Sequence, residues 1–214
     1  MHSYKEINPG SVMRYAYGLN IGCGENIVDG WLNIGLFPEK RFPYGKIVLS
    51  NKAFVWNIDL RKDISIKEGS IKYIYASHFI EHLSFQQGML LLGRCYDCLM
   101  DGGVIRLTFP NLEMWVRKYY ENDMPFFQTY YTSLKKWLKL PYLKTKGEIF
   151  MSLCHGWGHK WLYDFESIKD TLNRAGFTEV TEKRFHESFI PNIKKLELSL
   201  DVRKLETCYV EAEK

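Results

Sequence analysis

Short apolar runs alternate along the chain with longer stretches in which apolar residues return every three or four positions. Residues 18–24, Gly-Leu-Asn-Ile-Gly-Cys-Gly, read as an apolar strand running into a glycine turn. Runs at 31–36, at 53–58 (stopping at Asp59), at 71–76 and at 103–109 (closed by Pro110) read as four more strands. Phe177 to Val180 begins another, and Thr207 to Ala212 is the last. The helical period falls between and after them. Ser84 with Gln87 makes a capping box for a helix that Asp101-Gly102-Gly103 stops. Asn111 caps a helix carrying Leu112, Trp115, Val116 and Tyr119 at helical spacing. Asp164 caps a third, with Phe165, Ile168, Leu172 and Ala175 on one face and Gly176 just past its end. Strands alternating with helices predict an α/β fold, a mostly parallel sheet with helices on both faces.

Residues 122–163 stand apart. From 125 to 163, six lysines face one glutamate, so this stretch carries a local +5 while the whole chain carries only +4. Phe126, Phe127, Tyr130, Tyr131, Leu134, Trp137 and Leu138 repeat at helical spacing, with Lys135, Lys136 and Lys139 off that stripe and Pro141 as its limit. We read an amphipathic helix inserted into a single domain spanning 1–214. Its first reading is core or lid over a cleft at the sheet's edge. The second is a homodimer surface. The third is a peripheral membrane contact, because aromatic and lysine faces segregate as in interfacial helices.

The whole-chain composition narrows the class. With 214 residues, 46% hydrophobic and 25% charged, the chain can bury one full core. The mild charge gives no reason to expect nucleic acid as a partner. No apolar run approaches the ~20 residues of a membrane-spanning helix, so no transmembrane segment is expected. The first six residues lack the apolar core of a signal peptide. Cys23, Cys95, Cys98, Cys154 and Cys208 are odd in number, so reduced thiols and a cytoplasmic setting are expected. Cys95 and Cys98 lie i, i+3 in a helical pattern and read as packed thiols, since a metal would need two further ligands.

A strand ending in Gly22-Cys23-Gly24 lets backbone N–H groups approach a ligand closely. A dinucleotide fingerprint wants a third glycine at position 27, where this chain has Ile27, which counts against NAD and FAD. The wider pattern is more specific. Leu19-Asn20-Ile21-Gly22-Cys23-Gly24 precedes Gly30-Trp31-Leu32-Asn33-Ile34, Asn57-Ile58-Asp59-Leu60, Ser77-His78-Phe79-Ile80-Glu81-His82-Leu83 and Gly102-Gly103-Val104-Ile105-Arg106-Leu107. In this order the chain resembles a class I S-adenosylmethionine (SAM)-dependent methyltransferase. It looks closest to the small bacterial type-11-like branch with GCG and EHL motifs, often associated with surface-glycan gene clusters. The resemblance covers roughly residues 17–110 and extends through His159-Lys160-Trp161-Leu162-Tyr163-Asp164 to Tyr209-Val210-Glu211-Ala212.

That resemblance implies a Rossmann-like fold, a seven-stranded sheet with an antiparallel last strand and SAM across the strand C-termini. By motif match, backbone at Gly22, Cys23 and Gly24 meets the methionine half of SAM, with Asn20 supporting the loop. Asp59 and Leu60 flank the adenine, and Ser77 and His78 lie near the transferred methyl. One position departs. The acid that ends the second strand in this family and holds both ribose hydroxyls is here Gly35. Asn33 or a later residue is left to replace it; otherwise SAM binds weakly, or the chain is a catalytically weak or inactive binding module.

Methyl transfer is an in-line displacement in which the enzyme chiefly positions the acceptor, and an oxygen acceptor also needs a base. The expected acceptor is a small molecule or glycan-type intermediate methylated at oxygen, leaving S-adenosylhomocysteine. The candidate bases are His78, His155 and His159. Glu81 and His82 read equally as a hydrogen-bond pair at the start of the following helix. No metal set is expected, because glycines flanking Trp157 make a loop of the His155–His159 spacing. Arg106, inside a strand, reads as a structural ion pair. Arg117 reads as an anion contact, and Asn111 as a cap facing the cleft.

Overall fold

The structure, a computed structural model, describes residues 5–7, 12, 15–50, 52–62, 66–138, 142–198 and 201–214, with backbone alone at 136–138 and 201–202. Its strands are β1 Lys5–Ile7, β2 Leu19–Ile21, β3 Leu32–Gly35, β4 Ile47–Ser50, β5 Ala53–Asn57, β6 Ile71–Ser77, β7 Leu99–Pro110, β8 Thr178–Lys183 and β9 Thr207–Glu213. They form one sheet in the order β1-β4-β5-β3-β2-β6-β7-β9-β8. From β5 to β7 the neighbours are parallel, and β9 runs antiparallel between β7 and β8. The seven strands from β5 to β8, mostly parallel with a reversed β9, match the expected seven-stranded sheet with an antiparallel last strand. An antiparallel edge made by β4 and β1 adds to it.

The described helices of six or more residues all follow β6. They are α1 Phe85–Cys98, α2 Leu112–Tyr120, α3 Met124–Leu138, α4 Lys146–His155, α5 Phe165–Arg174 and the short α6 Asp201–Glu206. Their caps are those the sequence predicts. Ser84 and Asp164 form capping boxes with Gln87 and Ser167, and the Asn111 side chain accepts from Met114 N–H. Three expectations change. α1 ends at Cys98, and Asp101-Gly102-Gly103 lies inside β7, which spends residues 99–104 on the stretch that β6 covers with 71–73. The insertion holds two helices, because Thr145 and Glu148 cap α4 with a second box. On α2 only Trp115 is buried; Val116 and Tyr119 face outward. Lys139 and Pro141, like the side chains of Lys136, Trp137 and Leu138, lie outside the described residues.

Below β6 the chain connects its parallel strands differently. Only ten residues, 22–31, join β2 to β3, and they contain no helix. A crossover between parallel strands ordinarily takes a dozen residues or more and a helix. Two buried asparagines organise this loop instead. Asn20 Nδ2 donates to Asn26 O and to Asn33 Oδ1. Asn33 also accepts from Val28 N–H and donates to the carbonyls of Val28, Trp31 and Phe54. Asn57 does the same for 36–46, bonding Phe37 N–H and the carbonyls of Phe37 and Phe42.

The stretch between β8 and β9 covers the apolar surface left by this loop. Ile190, Ile193 and Leu196 cluster with Val28, Trp31, Tyr75 and Val104. Leu196 O accepts from Asn26 Nδ2 at 2.8 Å. Arg106 on β7 anchors the strap. It is fully buried, pairs with Glu197 at 2.6 Å and Glu211 at 3.0 Å, and donates to the carbonyls of Arg184 and Glu187. A buried guanidinium needs such saturation, since its five donors have no water to turn to. The structural reading of Arg106 therefore holds. Cys95 and Cys98 are buried free thiols in the main core, as expected, and burial pushes Cys98 up to about 12.

Candidate functional site

Register sets the site. Ile21 pairs with Ala76, so the glycine turn leaves β2 at the level where Ser77 ends β6. Ser77 in turn pairs with Thr108 of β7, whose hydroxyl donates to Ser77 Oγ at 2.9 Å. Past Ser77 the chain turns sharply through His78, which holds a left-handed φ of +48°. That conformation is uncommon for a residue with a side chain and carries strain. His78 N–H bonds Thr108 O, and its Nε2 lies 2.9 Å from Thr207 Oγ1. A single 3₁₀ turn, Ile80–His82, then delivers Glu81 and His82.

A cavity of about 360 Å³ opens here, at the carboxyl ends of β6 and β7. His78, Glu81 and His82 form one wall, and Pro110, Arg203 and Glu206 another. The insertion contributes Tyr130 and Leu134 from α3, and Trp157 and His159 from the loop after α4. Trp157 Nε1 donates to Tyr130 Oη at 3.3 Å, tying loop to helix. Behind them Trp115, Phe126, Phe127, Tyr130, Ile149 and Leu153 form a separate aromatic cluster. The insertion thus packs as its own small core with one edge on the cavity.

Two carboxylates lining this cavity are buried. Glu81 is wholly inaccessible, and among the described residues neither of its side-chain oxygens accepts a hydrogen bond. His78 Nδ1 approaches Glu81 Oε1 to 3.4 Å without hydrogen-bond alignment. Burial pushes Glu81 up, but the neighbouring histidines, His78 first, outweigh it and hold the carboxyl below its ordinary range. Glu206 is also buried, and desolvation raises it to about 8 against a Trp115 Nε1–H bond of 3.1 Å that works the other way. Asn111 N–H donates to Glu206 O at 2.8 Å, so the cap of α2 also fixes the end of α6. Desolvation lowers His159, whose Nδ1 lies 2.6 Å from Leu153 O.

The residues expected to meet SAM are spread along the adjoining loops. Gly22 and Gly24 both hold positive φ, at +62° and +53°. A Cβ on Gly22 would stand 2.3 Å from the Phe79 ring, whereas nothing lies within 4 Å of one on Gly24. Cys23 is buried and its N–H donates to Ile34 O. Asn20 is buried under the loop. Asp59 receives Arg61 Nε and Nη2 at 2.8 and 2.7 Å, a fork that holds the carboxyl down at about 2. Leu60 is buried beside it. Gly35 faces Phe37 and Cys23 Sγ, and Asn33 has spent its amide on the loop.

Of the three expected bases, His78 and His159 line the cavity. His155 ends α4, is exposed and borders a separate shallow depression with Leu143 and Met151. Arg117 is exposed on α2 and borders another, with Val116 and Tyr120. Sequence reading missed Arg203 and Glu206. The only signal was their place just before the last strand, and a short polar helix there has no distinctive spacing.

No family model matches the sequence, and no curated protein matches it. Solved structures do share the fold. A SAM-dependent methyltransferase from Archaeoglobus fulgidus is similar with a TM-score of 0.51 and 17% identity over 96% of this chain and 92% of that one. A SAM-dependent methyltransferase from Mesorhizobium loti gives 0.50 and 12% identity over 95% and 96%. The apo form of the SAM-dependent methyltransferase SibL gives 0.51 and 12% identity, covering 95% of this chain and 52% of that one. This chain therefore has the Rossmann-like fold of SAM-dependent methyltransferases.

Proposed function

We propose that this protein is a SAM-dependent methyltransferase whose acceptor is a small polar molecule or glycan-type unit methylated at oxygen. The observation that carries the reading is the register. A glycine turn and a cavity with histidines and carboxylates in its largely apolar wall open at the same end of two neighbouring parallel strands, the usual ligand crevice of open α/β sheets.

The residues fit the methionine half of the cofactor. Gly24 leaves its backbone open, so Gly22, Cys23 and Gly24 would hold that end, with Asn20 beneath. Asp59 and Leu60 would edge the adenine, provided Asp59 keeps an acceptor oxygen beyond its Arg61 fork. The ribose has no acid at Gly35. When bound, the cofactor supplies a methyl group made electrophilic by its sulfonium. Trp157 and Tyr130 offer flat apolar walls to a sugar-like ring and exclude water from it. Ser77 and His78 line the seam between turn and cavity. His159, fixed through Nδ1 on the Leu153 carbonyl, stands in the wall that the acceptor meets. Glu206, raised to about 8, holds its own proton at neutral pH, so it would take the hydroxyl proton, and pass it to solvent, only in the ionised form that grows in as pH approaches and passes 8.

A second reading is a catalytically weak binding module. It is favoured by Gly35, by the Phe79 ring seated on Gly22 and by the Arg61 fork on Asp59. Calorimetric titration of the ligand-free protein with SAM and S-adenosylhomocysteine separates the two. One-to-one binding, weakened by Asp59→Ala, supports the first. No heat from a demonstrably folded protein supports the second.

A further inference from the structure

We propose that Glu81, His82 and His159 form a binding site for one divalent transition-metal ion of the zinc class, in the cavity wall. Each residue offers one ligand atom, and these atoms lie within 4.8 Å of one another. The His82 and His159 rings meet edge-on with centroids 4.9 Å apart.

A second observation is independent of that clustering. Glu81 is completely buried and carries two oxygens that accept no hydrogen bond among the described residues. His78 Nδ1 lies 3.4 Å from Oε1 without hydrogen-bond alignment; a buried carboxylate so poorly served is costly, and proteins tolerate one where a cation completes it. His159 points the same way. Its Nδ1 sits 2.6 Å from a backbone carbonyl, which can only accept, so Nδ1 carries the proton. The ring's Nε2 is then a lone pair, and the partner that fixes it is the kind that fixes metal-binding imidazoles. A lone pair and a carboxylate gathered at one point repel each other until a cation lies between them.

The frame is held by backbone. Glu81 O accepts from Lys160 N–H at 2.7 Å and from Trp161 N–H at 3.2 Å. These bonds clamp the segment carrying His159 to the turn carrying Glu81 and His82, so the donor set does not depend on two loops meeting by chance. Two imidazoles and one carboxylate suit zinc and its first-row neighbours, whereas calcium and magnesium take oxygen donors. Three protein ligands leave open positions, and all three residues face the cavity. An acceptor hydroxyl oxygen would fill such a position; that use rests on the methyltransferase reading, but the site itself does not.

The test is titration of chelator-treated full-length protein with Zn²⁺ by calorimetry, repeated with Co²⁺ while its visible absorption is followed. We expect one ion per chain and cobalt bands of a low-coordinate nitrogen and oxygen site. His82→Ala and His159→Ala weaken uptake by more than the ~10–100-fold that loss of a supporting outer residue costs. His155→Ala, exposed at the end of α4 and outside the cavity, leaves uptake unchanged. Circular dichroism of each variant shows that it is folded; should one not fold, the other and the cobalt spectrum still decide. No uptake by the wild-type protein, or uptake that His82→Ala and His159→Ala leave intact, overturns the proposal. Neither cofactor nor acceptor is present, so failure here and failure of SAM to bind are separate results.

Discussion

In the half of the sheet built on β2, β3 and β5, the buried polar side chains are Asn20, Asn33 and Asn57, and their amides bond loop backbone. In the half built on β6 and β7, the polar groups buried at the strand ends include Glu81, whose carboxylate accepts no hydrogen bond among the described residues and has His78 Nδ1 at 3.4 Å, and Glu206, bonded by one indole. The first half replaces helices with loops and spends its polar atoms on holding them. The second half has helices to cover its sheet, so its polar atoms at the strand ends are left to face a cavity. Structure consumes side chains where secondary structure is missing, and chemistry collects where it is complete.

The largest test of this division is Arg106→Ala. The substitution leaves Glu197 and Glu211 buried and releases the strap that covers the helix-poor half. We expect a loss of about 3–5 kcal/mol in urea unfolding. A loss under 1 kcal/mol would mean that the apolar contacts of Ile190, Ile193 and Leu196 hold the strap alone.

Glu206 comes next. Its folded carboxyl titrates at about 8 against an ordinary 4.5, so the folded state binds the extra proton between those values. Stability is therefore highest below pH 4.5 on this account, falls as pH rises towards 8 and is flat above. Each pH unit in that window costs up to about 1.4 kcal/mol. Glu206→Gln keeps an acceptor for Trp115 and is expected to flatten the fall, read as melting temperature against pH. Arg203 and Glu81 are the charged groups that also act on Glu206, so unchanged curvature in the variant would move the effect to them.

Asn33→Ala sharpens the other side of the comparison. It strands Val28 N–H without a partner and takes from Asn20 Nδ2 one of its acceptors, at an expected cost of about 2–3 kcal/mol. Gly35→Asp is the smallest change and the most informative for function. Its Cβ would meet Phe37 and Cys23 only at 3.5–3.7 Å, ordinary contact, so the backbone position accepts a side chain. On the methyltransferase reading it restores the missing ribose acid and tightens SAM binding about tenfold, since charge-assisted hydrogen bonds contribute about 1.5–3 kcal/mol. Unchanged affinity would count against a ribose at that position.

Local signals were strong enough to place most elements. Ser84, Asn111 and Asp164 cap helices because their side chains reach N–H groups only three residues on. The parallel strands were legible because buried parallel strands are near-continuous apolar runs, whereas the short antiparallel β1 and β4 were not read. The helix boundary at Cys98 was not legible, since Gly102 and Gly103 serve an irregularity in β7 and stop no helix. Asn20, Asn33 and Asn57 repeat before isoleucine in three strands, a pattern whose meaning depends on loops brought alongside by the sheet. The site was half legible. His78 and His159 could be named from motif and position, but Glu206 and Arg203 could not, because nothing in a short polar helix says which cavity it will border.

The sequence by itself determined the α/β alternation, the glycine turn, the helix caps and the absence of an acid at Gly35, all of which are set by residues a few positions apart. Tertiary structure alone decided that Arg106 would meet Glu197, that the strap would stand in for a helix, and that Glu81 would lie buried beside His82 and His159. Those outcomes depend on which distant groups share a volume closed to water, and a one-dimensional pattern carries no term for that.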